Sequence, residues 1–463
     1  MTLGVLHNTI PHSSSQREVL SQWMGCARFI WNAKCDENRY YTTFARKYFS
    51  IGTYAPLDQT YAHFKDKELS PWLYKVPSQV LRNSASNWYT TYRNFIKGEC
   101  GKPRRKKKTE CGSVHLTREL FRFEKGPDGV TRLLIGTKKF NLGPLSLKNH
   151  KRYKEPNSIY IKKRYDKYWV SFCYLDDTIS ADTTQKQHLD HLKSCSPEYL
   201  NKHVVGIDRG VVRAVQCGDE VYDLSPRLKQ IKLNKEKKLK HYQRKLSRQQ
   251  RGSKRRAKTK KRLSNTHQKI SNIRNDFCHK TSHAIVTNID HKVIVLEDLN
   301  TKNMTKRPKV KQGEDGQWLR NGAKAKAGLN KSILDKGWYK LEEYIKYKCD
   351  VHGKAWFKVS ANYTSLECAN CSHTHPNNRT SQSDFSCEHC GNTDNADRNA
   401  AKVIKKRAIK VLLYSGTELS KRGVLLGPGR GAISKTPLAK VSCAHGNESS
   451  KKKGKARTQK VVA

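Results

Sequence analysis

The chain has 463 residues, and its 92 lysines and arginines against 40 aspartates and glutamates leave a formal charge of +52. Its 36% hydrophobic content falls below the roughly 45–50% of ordinary domains, yet a chain this long still holds more than one core. Such a charge repels itself unless a polyanion neutralises it, which points to a polynucleotide partner; with no apolar run of about 18 residues, no lipidation signal and no apolar segment behind the N-terminus, a membrane is excluded as the expected partner.

In chain order, residues 15–48 carry Leu20, Met24, Ala27 and Trp31 at helical spacing, with Ser13 to Ser15 offering an N-cap. A second helix is expected from Val76 to Phe95, opened by Pro77. The break Gly101-Lys102-Pro103 leads into the basic run Arg104, Arg105, Lys106, Lys107 and Lys108. From 113 to 175 the pattern turns to short strands, with Ser158–Lys163 and Tyr168–Leu175 flanking a polar turn, which suits a barrel or sandwich with helices inserted in it. Residues 176–200 are polar and read as a linker.

The second half opens on the apolar strand Val204-Val205-Gly206-Ile207, with Val211–Cys217 as its expected hairpin partner. Residues 227–262 hold 18 Lys/Arg in 36 positions and one acid, Glu236. Seams at Leu239, Tyr242 and Leu246, then Leu263, Ile270, Ile273 and Phe277, predict two antiparallel helices broken at Gly252-Ser253. Their other faces are nearly all cationic, and a solvated face would normally mix both signs. Lys237, Lys238, Arg244, Lys245, Arg255 and Arg256 are therefore candidate phosphate contacts, as is the run 104–108. A strand at Val293–Leu296, a helix over 332–349, a strand at Ala355–Val359 and a helix near Asp397 follow. After about 415 Gly, Ser, Pro and Lys dominate, and Ser449–Ala463 reads as disordered.

Ten of the 14 cysteines are scattered. Cys368, Cys371, Cys387 and Cys390 form two CxxC pairs 15 residues apart, the spacing of a closed four-thiolate zinc site, which is structural rather than catalytic. Gly391 suits the left-handed turn such a knuckle needs, and the nearby His373, His375 and His389 read as bystanders. Without a secretory signal, disulfides are not expected. Three acids stand out: Asp208 and Glu297 end apolar strands, and Asp397 opens a helix. Singly, each has a bland reading as a solvent-facing strand end or a helix cap. Together they can converge on one point, a costly cluster unless divalent cations offset the repulsion. Two Mg²⁺ ions about 3.5–4 Å apart would there activate water against a phosphodiester.

Gly206-Ile207-Asp208-Arg209-Gly210, then Val295-Leu296-Glu297-Asp298-Leu299, the four cysteines, and Asp397-Arg398-Asn399-Ala400-Ala401 resemble, in order and placement, the split RuvC-like nuclease of the TnpB family. Gln16, Gly25 to Arg28, Trp31-Asn32, Pro77-Ser78-Gln79 and Tyr363-Thr364-Ser365 extend the likeness over about residues 1–405. One departure is Ser372-His373 after Cys371, where the family commonly has Gly. The resemblance implies a multidomain α+β chain. Residues 1–14 and 113–200 would form a wedge-like β-barrel, with 15–112 a helical recognition insert. Residues 201–364 and 393–415 would form an RNase H-like RuvC nuclease, with the zinc ribbon at 365–392 and a basic flexible tail at 416–463. It also implies Asp208, Glu297 and Asp397 as catalytic magnesium ligands, Gln79 as a nucleic-acid contact, and a structured guide RNA, double-stranded DNA and the RNA–DNA heteroduplex as partners. A second copy of the chain is a further candidate partner. Location would be cytoplasm and nucleoid, or nucleus for a eukaryotic relative. A compact type V CRISPR effector and an RNA-guided repressor without cleavage are the alternative readings; a transposase or junction resolvase on the same core fits less well, since neither needs some 200 preceding residues.

Overall fold

The computed structural model describes residues 2–10, 13–45, 58–109, 111–127, 129–148, 154–164, 167–175 and 184–427; the expected disorder at 449–463 lies outside them. The N-terminal half is built on a seven-stranded antiparallel sheet. Its strands are β1 (Thr2–Ile10), β2 (Cys111–Thr117), β3 (Phe121–Lys125), β4 (Thr131–Gly136), β5 (Asn141–Lys148), β6 (Ser158–Arg164) and β7 (Lys167–Leu175), in the order β2-β6-β7-β1-β5-β4-β3. The outermost strands β2 and β3 are joined only by the turn Arg118–Leu120. Two helices cover the sheet. In α1 (Ser14–Tyr40), Ser13 and Gln16 form a reciprocal capping box, satisfying donors that a helix start leaves bare. Its stripe Leu20, Trp23, Ala27 and Ile30 buries against the sheet with Val80, Leu81 and Ala85 of α2 (Ser78–Ile96).

The C-terminal half centres on a five-stranded sheet of β8 (Val204–Asp208), β9 (Val215–Cys217), β10 (Glu220–Tyr222), β11 (Val293–Glu297) and β12 (Ala355–Val359), in the order β10-β9-β8-β11-β12. β8, β9 and β10 form an antiparallel meander, whereas β8, β11 and β12 run parallel. Strands covered on both faces read as continuous apolar runs, and the four residues 204–207 are all buried. One face packs Val205, Ile207, Ile294 and Leu296 against Phe277, Ile285 and Ile345. The other packs Val204, Val293 and Val295 against Ile404, Ala408 and Leu412. The flanking helices are α5 (Pro226–Arg248), α6 (Lys254–Thr287), a short α7 (Thr301–Met304), α8 (Ala323–Lys336), α9 (Trp338–Val351) and α10 (Ala396–Leu412).

Several expectations need correcting. Within the expected linker, residues 185–193 and 197–203 form α3 (Gln185–Lys193) and α4 (Pro197–His203), whose Leu189, Leu192 and Leu200 join the core under α10. The single helix expected over 332–349 is two, α8 and α9, broken at Gly337 with φ +71°. The cationic pair extends to Thr287, and α5 has no fully buried side chain, so its seam is only half-covered. Residues 416–427, expected in the flexible tail, include a small hairpin (Glu418–Leu419 with Leu425–Leu426) that bridges β12 at Lys358 and buries Leu425.

Candidate active site and metal centre

Strand register sets the acids. Ile207 pairs with Leu296 and Val204 with Val293, so one step further brings Asp208 beside Glu297 at the carboxyl ends of parallel strands. Because side chains alternate, both lie opposite Ile207 and Leu296, on the face that α10 covers. Gly206 shares that face, and a Cβ there would lie 2.1 Å from the Ala401 carbonyl oxygen and 2.7 Å from the Lys405 nitrogen. Only a bare backbone lets α10 lie this close, and the approach delivers its first-turn Asp397 to the two strand ends. Gly206→Ala is thus expected to push α10 away and cut any cleavage activity by about 10²-fold, as misplacements near 1 Å do, with zinc content unchanged by metal analysis.

Asp208 feels the two other carboxylates. Burial, then Glu297 and Asp397, raise the Asp208 carboxyl to about 7. Burial also raises Glu297, against the hydroxyl of Thr364, which donates to its Oε1. Tyr363, just before Thr364, holds φ +59°, a strained conformation for a bulky residue and one that recurs at functional sites. Arg379 Nη2 stands 3.9 Å from Asp397 Oδ1. A buried carboxylate with two half-buried ones nearby forms a poor site when ionised alone and a fitting one for a hard, oxygen-seeking divalent cation.

Arg209, which follows Asp208, is buried beneath this cluster. Its guanidinium donates to the Glu297 carbonyl (2.6 Å) and to Glu342 Oε2 of α9 (2.9 Å), tying the two acid-bearing strand ends to one helix. Glu342 also meets Lys358 (2.5 Å) and Lys346 (2.9 Å). Burial opposes its ionisation, yet Arg209, Lys358 and Lys346 hold its carboxyl down at about 2. Breaking a buried pair strands its partner, so Arg209→Met is expected to cost about 3–5 kcal/mol in chemical denaturation. Although Arg209 and Glu342 are plain in the sequence, no local pattern pairs residues this far apart.

The ribbon closes as two matching knuckles. The four sulfurs all lie within 4.8 Å of one another, and among the described residues they form the one group of three or more His, Cys, Asp or Glu so tightly gathered. Cys368 and Cys390 sulfurs are 3.7 Å apart, Cys371 and Cys387 3.6 Å. In each knuckle the residue after the second cysteine turns left-handed, Ser372 at φ +65° and Gly391 at φ +68°. Each also donates its N–H to the first cysteine's carbonyl, at 2.9 Å. Ser372 thus takes, at some strain, a conformation that glycine adopts freely. The Asn392 N–H donates to Cys390 and draws its thiol down to about 6. Four sulfurs converging within 4.8 Å of one another fit a tetrahedral zinc ion. His375 pairs with Glu388 at 2.6 Å and His373 stacks on His389, outside the sulfur cluster.

Comparison with known proteins gives the lineage. The profiles "Probable transposase" (residues 178–308), "Cas12f1-like, TNB domain" (338–404) and "Helix-turn-helix domain" (13–42) match the chain. InsQ of Escherichia coli (strain K12), named as an RNA-guided DNA endonuclease, is 30% identical over 388 residues, covering 83% of this chain and 87% of InsQ. The chain belongs to the TnpB family. Cas12f1 of Sulfoacidibacillus thermotolerans, named as a CRISPR-associated endodeoxyribonuclease, is 39% identical over 67 residues, 14% of this chain and 16% of that protein. The fold resembles that in a cryo-EM structure of a Cas12f1–sgRNA–target DNA complex, with TM-score 0.52, 14% identity, and coverage of 85% of this chain and 83% of that one. In this TnpB-family chain the segment matched as helix-turn-helix is one continuous 27-residue helix, α1.

In the motif that opens α10, Asn395 is the N-cap, accepting from the Asp397 and Arg398 N–H groups, which leaves the Asp397 carboxylate for other work. Buried Asn399 donates to the Glu367 carbonyl (2.7 Å) and accepts from the Ala369 N–H (3.0 Å). It locks the ribbon to the helix that carries Asp397, a role that the motif alone does not disclose.

The expected nucleic-acid contacts spread over two faces. Gln79 is half-buried near the start of α2. The Arg104 carbonyl accepts from Trp31, Arg105 grips Asp36 through two hydrogen bonds, and Lys106 lies 3.4 Å from the Trp31 ring centroid. Lys106 and Lys107 line a cavity of about 880 Å³ between the helices and the sheet; Lys108 is exposed. On the second face Lys237, Lys238, Arg244, Lys245 and Arg255 are exposed, whereas Arg256 turns back to donate to the Leu246 and Gln249 carbonyls at the end of α5.

Proposed function

We propose that this TnpB-family chain is an RNA-guided DNA endonuclease that binds a structured guide RNA and hydrolyses guide-matched DNA in a RuvC-like site made by Asp208, Glu297 and Asp397. One observation carries the reading: Asp208 at the end of β8, the buried Glu297 at the end of β11 and Asp397 in the first turn of α10 lie near enough for the latter two to raise the Asp208 carboxyl, within a chain of charge +52. Guide and target enter as partners through the likeness to InsQ and to the Cas12f1–sgRNA–target DNA assembly. The sheet order, with its antiparallel meander and two parallel strands, supports an RNase H-like core.

Two Mg²⁺ ions held by the three carboxylates would supply an activated water and stabilise the leaving oxygen of the phosphodiester. The chain's residues make that site: Thr364 orients Glu297, Arg209 fixes both strand ends, and Asn399 with the zinc ribbon sets Asp397. Residues 1–14 with 113–175 serve as the wedge, 15–112 as the recognition insert, 365–392 as the ribbon, and 201–364 with 393–415 as the nuclease, to which α3 and α4 are added because their leucines lie in its core. No described helix is long and apolar enough to cross a membrane. The nucleic-acid partners of this reading support a location in cytoplasm and nucleoid.

The test incubates protein, with and without co-expressed RNA, with a supercoiled plasmid library carrying a guide-matched site. RNA-dependent linearisation next to a fixed short motif is expected; binding without cutting would favour the repressor reading, and cutting independent of RNA would overturn the proposal. Changing Lys237, Lys238, Arg244, Lys245 and Arg255 to Glu is expected to weaken nucleic-acid binding and flatten its salt dependence, by roughly 0.7–0.9 in log–log slope for each phosphate no longer neutralised. Filter binding across a salt series checks this.

A further inference from the structure

A groove of about 750 Å³ separates the β6–β7 hairpin from α6. The α6 wall carries Asn265, Gln268, Asn272 and Asn275, at successive helical intervals of three, four and three, so the four amides form one stripe. The opposite face of the helix is spent on the core through Thr266, Ile270 and Phe277. Lys162, Arg164 and Lys167 face the stripe from the hairpin, and Lys261 and Lys269 flank it. No carboxylate is among the described lining residues. Trp169 adds one aromatic surface.

Cations alone would attract any polyanion, and the rest of this surface already does so. The amides add a different chemistry. Each carries both an acceptor and donors, the complement of a ribose 2′-hydroxyl, which is itself donor and acceptor and is what distinguishes RNA from DNA at a given contact. Gln268 Nε2 donates to Asn272 Oδ1 at 2.6 Å, and Asn275 Oδ1 accepts from Lys340 Nζ at 2.6 Å, so part of the stripe is ordered in advance. The pair still carries the Gln268 oxygen and the Asn272 amino group. A-form RNA presents a wide, shallow minor groove lined with 2′-hydroxyls, whereas that of B-form DNA is about 6 Å across.

We infer that this groove binds an A-form RNA helix, its lysines and Arg164 taking the phosphates and the Asn265–Gln268–Asn272 stripe reading the 2′-hydroxyls. The inference rests on the guide-RNA reading above and locates where that RNA is told from DNA. The full-length chain is tested against one duplex sequence of about 16 base pairs, made as RNA, as DNA and as RNA with 2′-deoxy residues in one strand. Wild type should prefer RNA. The triple variant Asn265→Ala, Gln268→Ala, Asn272→Ala should lose roughly 10-fold in RNA affinity with an unchanged salt slope, and less than about twofold for DNA. Its remaining affinity should be the same for RNA and for the 2′-deoxy duplex. A second variant, Lys162→Gln with Lys167→Gln, should weaken both duplexes and flatten both slopes. Equal losses on RNA and DNA in the triple variant, or none, overturn the inference; unchanged zinc content and melting temperature establish that the variant is folded. Guide-directed cleavage is measured alongside: a wild type that prefers RNA through the stripe yet does not cut sinks the nuclease reading alone, and one that cuts while the triple variant binds RNA normally sinks only the groove.

Discussion

Changing Asp208 to Asn is expected to raise the thermal stability of the metal-free protein above pH 7 while abolishing cleavage. The sign follows from linkage. The carboxyl rises from an ordinary 3.8 to about 7 in the fold, so the folded state holds a proton that the unfolded chain releases near pH 4. Stability attached to Asp208 is therefore fully present below pH 4, falls as pH climbs through about 7, and stays lost above it, by an amount on the order of a few kcal/mol. Asn carries no such charge, so the two proteins should melt together near pH 4 and diverge toward pH 8. Magnesium should reverse the order: it should raise the wild-type melting temperature at pH 8 and leave the Asn variant nearly unmoved. Asp397→Ala should likewise abolish cleavage while RNA binding persists, since the cationic faces are untouched. Cleavage by either variant at the wild-type rate would remove that acid from the site, and a melting difference between wild type and Asp208→Asn that stays constant from pH 4 to 8 would contradict the raised Asp208 carboxyl.

Local pattern is what a sequence displays, and the parts of this fold that follow from it are legible. β8 and β11 are short apolar runs ending in an acid, and the cysteine spacing implies its own geometry. The helices α3 and α4 are hidden because three leucines among polar residues make a weak stripe, though the Thr184–Gln187 capping box marks the start of α3. Gly337 breaks α8 from α9 without a proline to announce it. Arg256 reads as one more surface cation, and only its position beside the last carbonyls of α5 gives it a different partner. Gly206, Asn399 and the Arg209–Glu342 pair act through contacts between elements far apart in the chain. Their residue types are visible in the sequence, whereas their partners become visible only in three dimensions.

Cys387→Ser is expected to empty the ribbon of zinc and, through it, to silence the active site. The ribbon's buried apolar cluster is Cys368, Phe385, Cys387 and Ala396, so half of it consists of the proposed zinc ligands. A unit with so little core takes its folding free energy from the ion, which in comparable small sites contributes about 10–16 kcal/mol at neutral pH. Losing one thiolate should therefore unfold residues near 365–395 locally, seen as one equivalent of zinc lost and as new proteolytic cuts in that interval. The damage should travel because Asn399 anchors α10 to the Glu367 carbonyl and the Ala369 N–H, and α10 carries Asp397. Cleavage should fall with the zinc, while duplex binding by α5 and α6 should change little. A Cys387→Ser protein that kept its zinc and its activity would remove the metal centre. One that lost zinc and still cut at full rate would show that Gly206 and the sheet alone hold Asp397 in place.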